Sequence, residues 1–175
     1  MFAAHFAAGL AIGGRESKAP ISALLAGVFL PDLIWIALAF AGVEPSGPSV
    51  FFDGWSHSFL SVATEATVFA SFFALKGLRV WLSIWFAVLS HFALDAIIHP
   101  RPLELYPHAR VRIPWNLWRW GAKPTPFGPS HYWWVQFFVV TILLGVYVLR
   151  TRRSSLPTNL AAATVLLVFG LHWLL

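Results

Sequence analysis

From Ala19 to Gly42 the chain carries a single ionisable residue, Asp32, and comparable apolar stretches run from His57 to Leu75, Val80 to Ile98, Tyr132 to Leu149 and Leu156 to Leu175. About 20 apolar residues, rising 1.5 Å each in a helix, cross the roughly 30 Å of a bilayer's hydrocarbon. Five such stretches in 175 residues predict an all-α, polytopic transmembrane helical bundle. A shorter stretch, residues 2–13, adds a sixth helix, too short to cross fully and expected as a half-helix, a tilted helix packed inside the bundle, or a re-entrant segment. The expected architecture is one membrane-embedded domain over residues 1–175, with helices near 2–13, 19–42, 57–75, 80–98, 132–149 and 157–175. A Pro- and Trp-rich outer loop spans 100–130.

Composition excludes the alternatives. Charged residues make up 11% of the chain and hydrophobic residues 58%; a soluble domain carries about a quarter charged residues to cover its surface. Ten Trp and 16 Phe exclude a disordered chain. The absence of cysteine removes disulfides, thiolate metal sites and thiol nucleophiles, so any metal must be held by His, Asp or Glu. Met1 to Gly14 contains no Lys or Arg, unlike the basic start of a secretory signal, so this segment is expected to be retained.

The net charge of +5 reads as topology rather than as a nucleic-acid partner. Arg15-Glu16-Ser17-Lys18, Lys76 to Arg79 and Arg150 to Arg153 are basic, whereas Val43 to Ser56 holds Glu44 and Asp53 and no base. Lys and Arg beside spans favour the cytoplasmic side. The basic segments therefore face inward, and 43–56, 100–130 and the C-terminal end face outward. The outer loop breaks the rule, with Arg101, Arg110, Arg112, Arg119 and Lys123 against Glu104. Its bases suit anionic head groups or a phosphate-bearing ligand. Its Trp115, Trp118 and Trp120 suit head-group depth, and its prolines forbid a long helix, so it is expected to fold over the bundle mouth.

Ionisable groups inside a span cost about 2.5–3.5 kcal/mol each, so they persist when paired, hydrated or bound to an ion. Asp32, Glu65, His91, Asp95 and His99 are such groups, joined by His57 at a helix start and by His5. His and carboxylate are ligands for divalent metals. His91, Asp95 and His99 follow at intervals of four and form one stripe on a helix face, along which neighbours can chelate one ion. Under the topology above, all these groups lie toward the outer side. Pro31 frees a backbone carbonyl in the turn before Asp32, which widens a polar cavity. Glu65, eight residues after His57, shares its face; Ser58, Ser61 and Thr64 add hydroxyls. His108 and His131 read as interfacial residues and His172 as a packed one.

Ala4-His5, Leu30-Pro31-Asp32, Trp55-Ser56-His57-Ser58 and Ser90-His91-Phe92-Ala93-Leu94-Asp95, in that order, resemble the YdjM-like family of bacterial inner-membrane metal-dependent hydrolases. The resemblance covers roughly residues 1 to 110. It implies a multi-pass protein of the inner membrane, a divalent metal, zinc above others, held by His5, Asp32, His57, His91 and Asp95 in some combination, and hydrolytic chemistry. Ile34 and Trp35 stand where many relatives place a second acid and a His, and Phe52-Asp53 where they place His-Arg. These departures favour one metal over two.

The function expected from sequence is a metal-activated water attacking an ester or phosphoester, of a lipid-like substrate given the site's location. Glu65 or His99 would act as base or orienting partner, and Arg101, Arg110 and Arg112 would bind an anionic group. The competing classes are a non-enzymatic metal- or haem-binding membrane protein, with His57 and His99 as the haem pair, a transporter subunit, and a structural subunit whose polar groups bond to partner helices.

Overall fold

The computed structural model describes residues 2–45, 53–98, 103–110 and 131–150. Their helices are α1 (Phe2–Ser17), α2 (Ile21–Phe40), α3 (Gly54–His57), α4 (Phe59–Ser71), α5 (Leu78–Ile98) and α6 (His131–Arg150), with a single 3-10 turn at Ala74–Lys76. The described residues are thus all-helical. Two helices, over Ile21–Phe40 and Leu78–Ile97, are long and apolar enough to cross a membrane. The other apolar stretches, Ala3–Gly13, Phe59–Ser71 and Phe137–Arg150, are shorter. The expected helix at 157–175 lies outside the described residues.

Two expectations need correction. The first helix does not stop near residue 13 but runs to Ser17, whose hydroxyl bonds back to the Gly13 carbonyl, so Arg15 sits in its last turn. The helix expected over 57–75 is broken. Ser58 is extended (φ −71°, ψ 154°), α3 ends at His57, and the 13-residue α4 ends at Ser71. The break leaves the first amides of α4 in need of acceptors. Ser58 Oγ accepts from Ser61 N at 3.4 Å. The segment 103–110 supplies the rest: Phe59 N and Leu60 N donate to the carbonyls of Glu104 and Leu105 at 3.0 and 2.9 Å. Residues 103–110 thereby dock on the end of α4, with Leu103 buried beside Val62, Ala66, Val88 and Phe92.

Packing puts α5 in the middle, against α4, α2 and α1, while α6 lies along α1. Small residues set the spacing. Ala3, Ala4, Ala7 and Leu10 of α1 meet Val140, Leu144 and Tyr147 of α6. Such small side chains let the two backbones approach closely. At Gly27 α2 lies close on α5: a methyl group there would stand 3.1 Å from Val88 Cγ2. The outer faces are apolar, with Phe40, Phe72, Leu78, Phe86, Phe138 and Leu149 all exposed.

The basic segments share one end of the bundle. Lys18, after α1, lines a single cavity of about 460 Å³ with Lys76 and Arg79, before and within the start of α5. Arg150, closing α6, donates to the Ala11 carbonyl of α1 at 2.9 Å. His5, at the start of α1, and His91 and Asp95, in the last turns of α5, lie at the other end.

Candidate metal centre

Four helices each deliver a donor to one point. Asp32 comes from α2 just after Pro31, His57 from the last position of α3, His91 and Asp95 from successive turns of α5, and His5 from α1. His91, His5, His57 and Asp95 are all buried, and Asp32 is the member that reaches the surface, its side chain 19% exposed against 7% for Asp95. Burial of this many ionisable groups away from water requires that each be compensated.

The distances describe a compact polyhedron. His57 Nε2 and His91 Nε2 are 3.3 Å apart. Asp32 Oδ1 lies 3.4 Å from the first and 3.8 Å from the second. Asp95 Oδ2 lies 3.9 Å from His57 Nε2 and 3.3 Å from His91 Nε2. Ligands about 2.0–2.1 Å from a tetrahedral ion stand ~3.3–3.4 Å from one another. Three of the five separations match that edge, and the other two require an inward shift of about half an ångström.

The outward nitrogens decide the tautomers. His91 Nδ1 lies 2.7 Å from the Val28 carbonyl, an acceptor only, so Nδ1 carries the proton. His57 Nδ1 lies 2.7 Å from Ser56 Oγ, and that hydroxyl lies 2.7 Å from Glu44 Oε2. Glu44 is fully buried and already accepts from Trp55 N at 2.6 Å and Ser56 N at 3.0 Å through Oε1, so its carboxylate is an acceptor held in place. The Ser56 proton goes to Glu44, and Ser56 Oγ accepts from His57 Nδ1–H. With both rings neutral, the two Nε2 atoms turn lone pairs toward each other and toward two carboxylate oxygens, a set that a cation shared between them, a metal ion or a proton, would hold together. These buried His and Asp groups could hold a metal ion, in the sets His57–His91–Asp95 and His5–Asp32–His91.

His5 stacks on His91 with ring centroids 4.0 Å apart and 15° between planes. Its Nε2 lies 3.2 Å from Asp95 Oδ1, and its Nδ1 is buried without a hydrogen bond.

All five residues expected as metal ligands from sequence therefore meet. Glu65 does not join them. It lines an apolar pocket of about 280 Å³ with Leu30, Ile34, Thr64, Val68, Phe69 and Phe72, and its Oε2 is buried without a hydrogen bond. Thr64 spends its hydroxyl on the Leu60 carbonyl at 2.8 Å, within its own helix. Arg110 is exposed at the end of the docked segment, while His99, Arg101 and Arg112 lie outside the described residues. His108, expected at the interface, sets its ring edge-on to Trp55 at 5.8 Å, so the outer segment touches the helix that carries His57. Sequence reasoning missed Glu44, Ser56 and the Val28 carbonyl. Ser56 was legible as the neighbour of a candidate ligand; Glu44 and Val28 reach the site from 13 and 63 positions away, with no spacing rule to flag them.

No protein family, curated protein or solved structure matches this chain.

Proposed function

We propose that the chain is a multi-pass inner-membrane hydrolase in which one divalent metal, zinc before others, serves attack of water on an ester or phosphoester of a lipid-like substrate. The observation that carries this reading is the inward convergence of His57 Nε2, His91 Nε2, Asp32 Oδ1 and Asp95 Oδ2, with both imidazole protons committed elsewhere. The donor set suits zinc or a similar borderline ion, and its order along the chain is the basis of the YdjM-like resemblance. A metal bound there supplies Lewis acidity and a water acidified toward neutrality.

The residues divide that work by burial. His57, His91 and Asp95 are enclosed and hold the ion. Asp32 lies on the side that reaches the surface, where water and substrate would approach a bound ion. His5 faces the far oxygen of Asp95 and orients that carboxylate. Leu33 and Ile36, exposed on α2 beside Asp32, offer an apolar approach that a lipid tail would use. Arg110, on the segment docked against α4, is a candidate for an anionic head group.

The test is a screen of detergent-purified protein on carboxylic and phosphate esters, with and without zinc, beside Asp32→Asn and His91→Ala. Metal-dependent turnover lost in both variants supports the hydrolase. Stoichiometric metal without turnover of any ester supports the non-enzymatic metal-binding class, and absence of metal supports the structural subunit.

A further inference from the structure

Glu44 stands in the connection after α2, two residues beyond the left-handed Gly42 (φ 73°), and is not among the candidate ligands. Yet it is fully buried, and each of its oxygens is engaged: Oε1 by the amides of Trp55 and Ser56, Oε2 by the Ser56 hydroxyl. We infer that Glu44 is a positioning residue for the metal, acting through Ser56 to fix the proton of His57 on Nδ1 and so to keep Nε2 bare for the ion. This rests on the metal reading above and extends it to a carboxylate–serine–histidine relay.

The direction of the relay follows from what each atom can do. A carboxylate only accepts, so the Ser56 hydrogen is drawn to Glu44 Oε2 at 2.7 Å rather than to the Asp53 carbonyl at 3.3 Å. Ser56 Oγ is thereby left as an acceptor for His57 Nδ1–H at 2.7 Å. The anion is anchored by two backbone amides, so it cannot swing away, and it holds the Ser56 hydroxyl in the orientation that His57 meets. His91 receives the same service from the neutral Val28 carbonyl. The two imidazoles are thus oriented by acceptors of different strength, and His57 is the one whose tautomer depends on a side chain.

Glu44→Gln reverses the relay with almost no change of shape. The amide oxygen keeps the two backbone donors, and the NH₂ group replaces Oε2 and donates to Ser56 Oγ. His57 Nδ1 at 2.7 Å is then a closer acceptor for the Ser56 hydrogen than the Asp53 carbonyl at 3.3 Å, which favours the imidazole proton on Nε2, where it blocks the ion. Ser56→Ala removes the relay outright, and Ser56→Thr preserves the hydroxyl.

The experiment measures zinc affinity by competition with a chromogenic chelator, and ring ¹⁵N spectra of metal-free, histidine-labelled protein in detergent, with His57 assigned from its own variant. The expected result is an Nδ1–H tautomer at His57 in the wild type and an Nε2–H tautomer in E44Q. Zinc affinity should fall about 10–100-fold in E44Q and S56A and be retained in S56T. An unchanged His57 tautomer and affinity within about twofold in E44Q and S56A overturn the inference; should E44Q not fold, S56A against S56T decides it. A switched tautomer in a protein whose wild type binds no zinc upholds the relay and defeats the metal reading, so the two fail separately.

Discussion

The two ends of α1, α2 and α5 solve opposite problems with the same helices. At one end Lys18, Lys76 and Arg79 stand exposed around an open cavity, where solvent compensates their charge. At the other, His5, His57, His91 and Asp95 are enclosed, and every orientation is fixed by another group: a carbonyl, a hydroxyl, a buried carboxylate or a stacked ring. At the first end, charge lies in the open. At the second, where no solvent can soften a mismatch, charge has to be built into a site.

The sharpest way to break that contrast is to remove a donor. His91→Ala, which also leaves the Val28 carbonyl without its imidazole, should lose stoichiometric metal, read by elemental analysis; Asp95→Asn should do the same. Next in size is removal of the ion itself. A ligand at 1,000 times its Kd stabilises the folded state by about 4 kcal/mol, so chelation should lower the thermal midpoint by several degrees. Hydrogen exchange should show the loss at residues 54–62 and not at 76–80. If both ends loosen equally, the donor end is not a separate ion-dependent unit.

A smaller effect belongs to the packing between the two ends. Gly27→Leu would drive a side chain into Val88, which lies one turn before His91 on α5, and should cost about 1–3 kcal/mol of stability, measured by chemical denaturation. The smallest effect is expected at the basic end: Lys18→Ala, Lys76→Ala and Arg79→Ala should each change stability by no more than ~0.5 kcal/mol and leave metal affinity unchanged. Their influence should appear instead in the orientation of the chain, mapped by labelling introduced cysteines from either side of the membrane.

This contrast also explains what was legible in the sequence. The basic end could be read from charge alternation, and the cavity shared by Lys18, Lys76 and Arg79 agrees with the placement of those two segments on one side. The five ligand candidates were legible because an imidazole or carboxylate in an apolar helix is conspicuous and because His91 and Asp95 keep helical spacing. Glu65 was conspicuous for the same reason, yet it faces an apolar pocket between α2 and α4; position along a helix face does not say which neighbour lies opposite. The break at Ser58 was hidden because its compensation comes from Glu104 and Leu105, more than 40 residues later. Glu44 was hidden for a similar reason. In sequence it is an acid in a connection, and its role exists once α3 brings the amides of Trp55 and Ser56 against it.

The most direct test of the central claim is the X-ray absorption spectrum of the zinc-loaded protein. The account predicts four nitrogen and oxygen donors at about 2.0–2.1 Å, two of them showing the outer-shell scattering of imidazole rings, with one imidazole lost in His57→Ala. A spectrum without imidazole scattering, or one that the His57→Ala change leaves untouched, would contradict it.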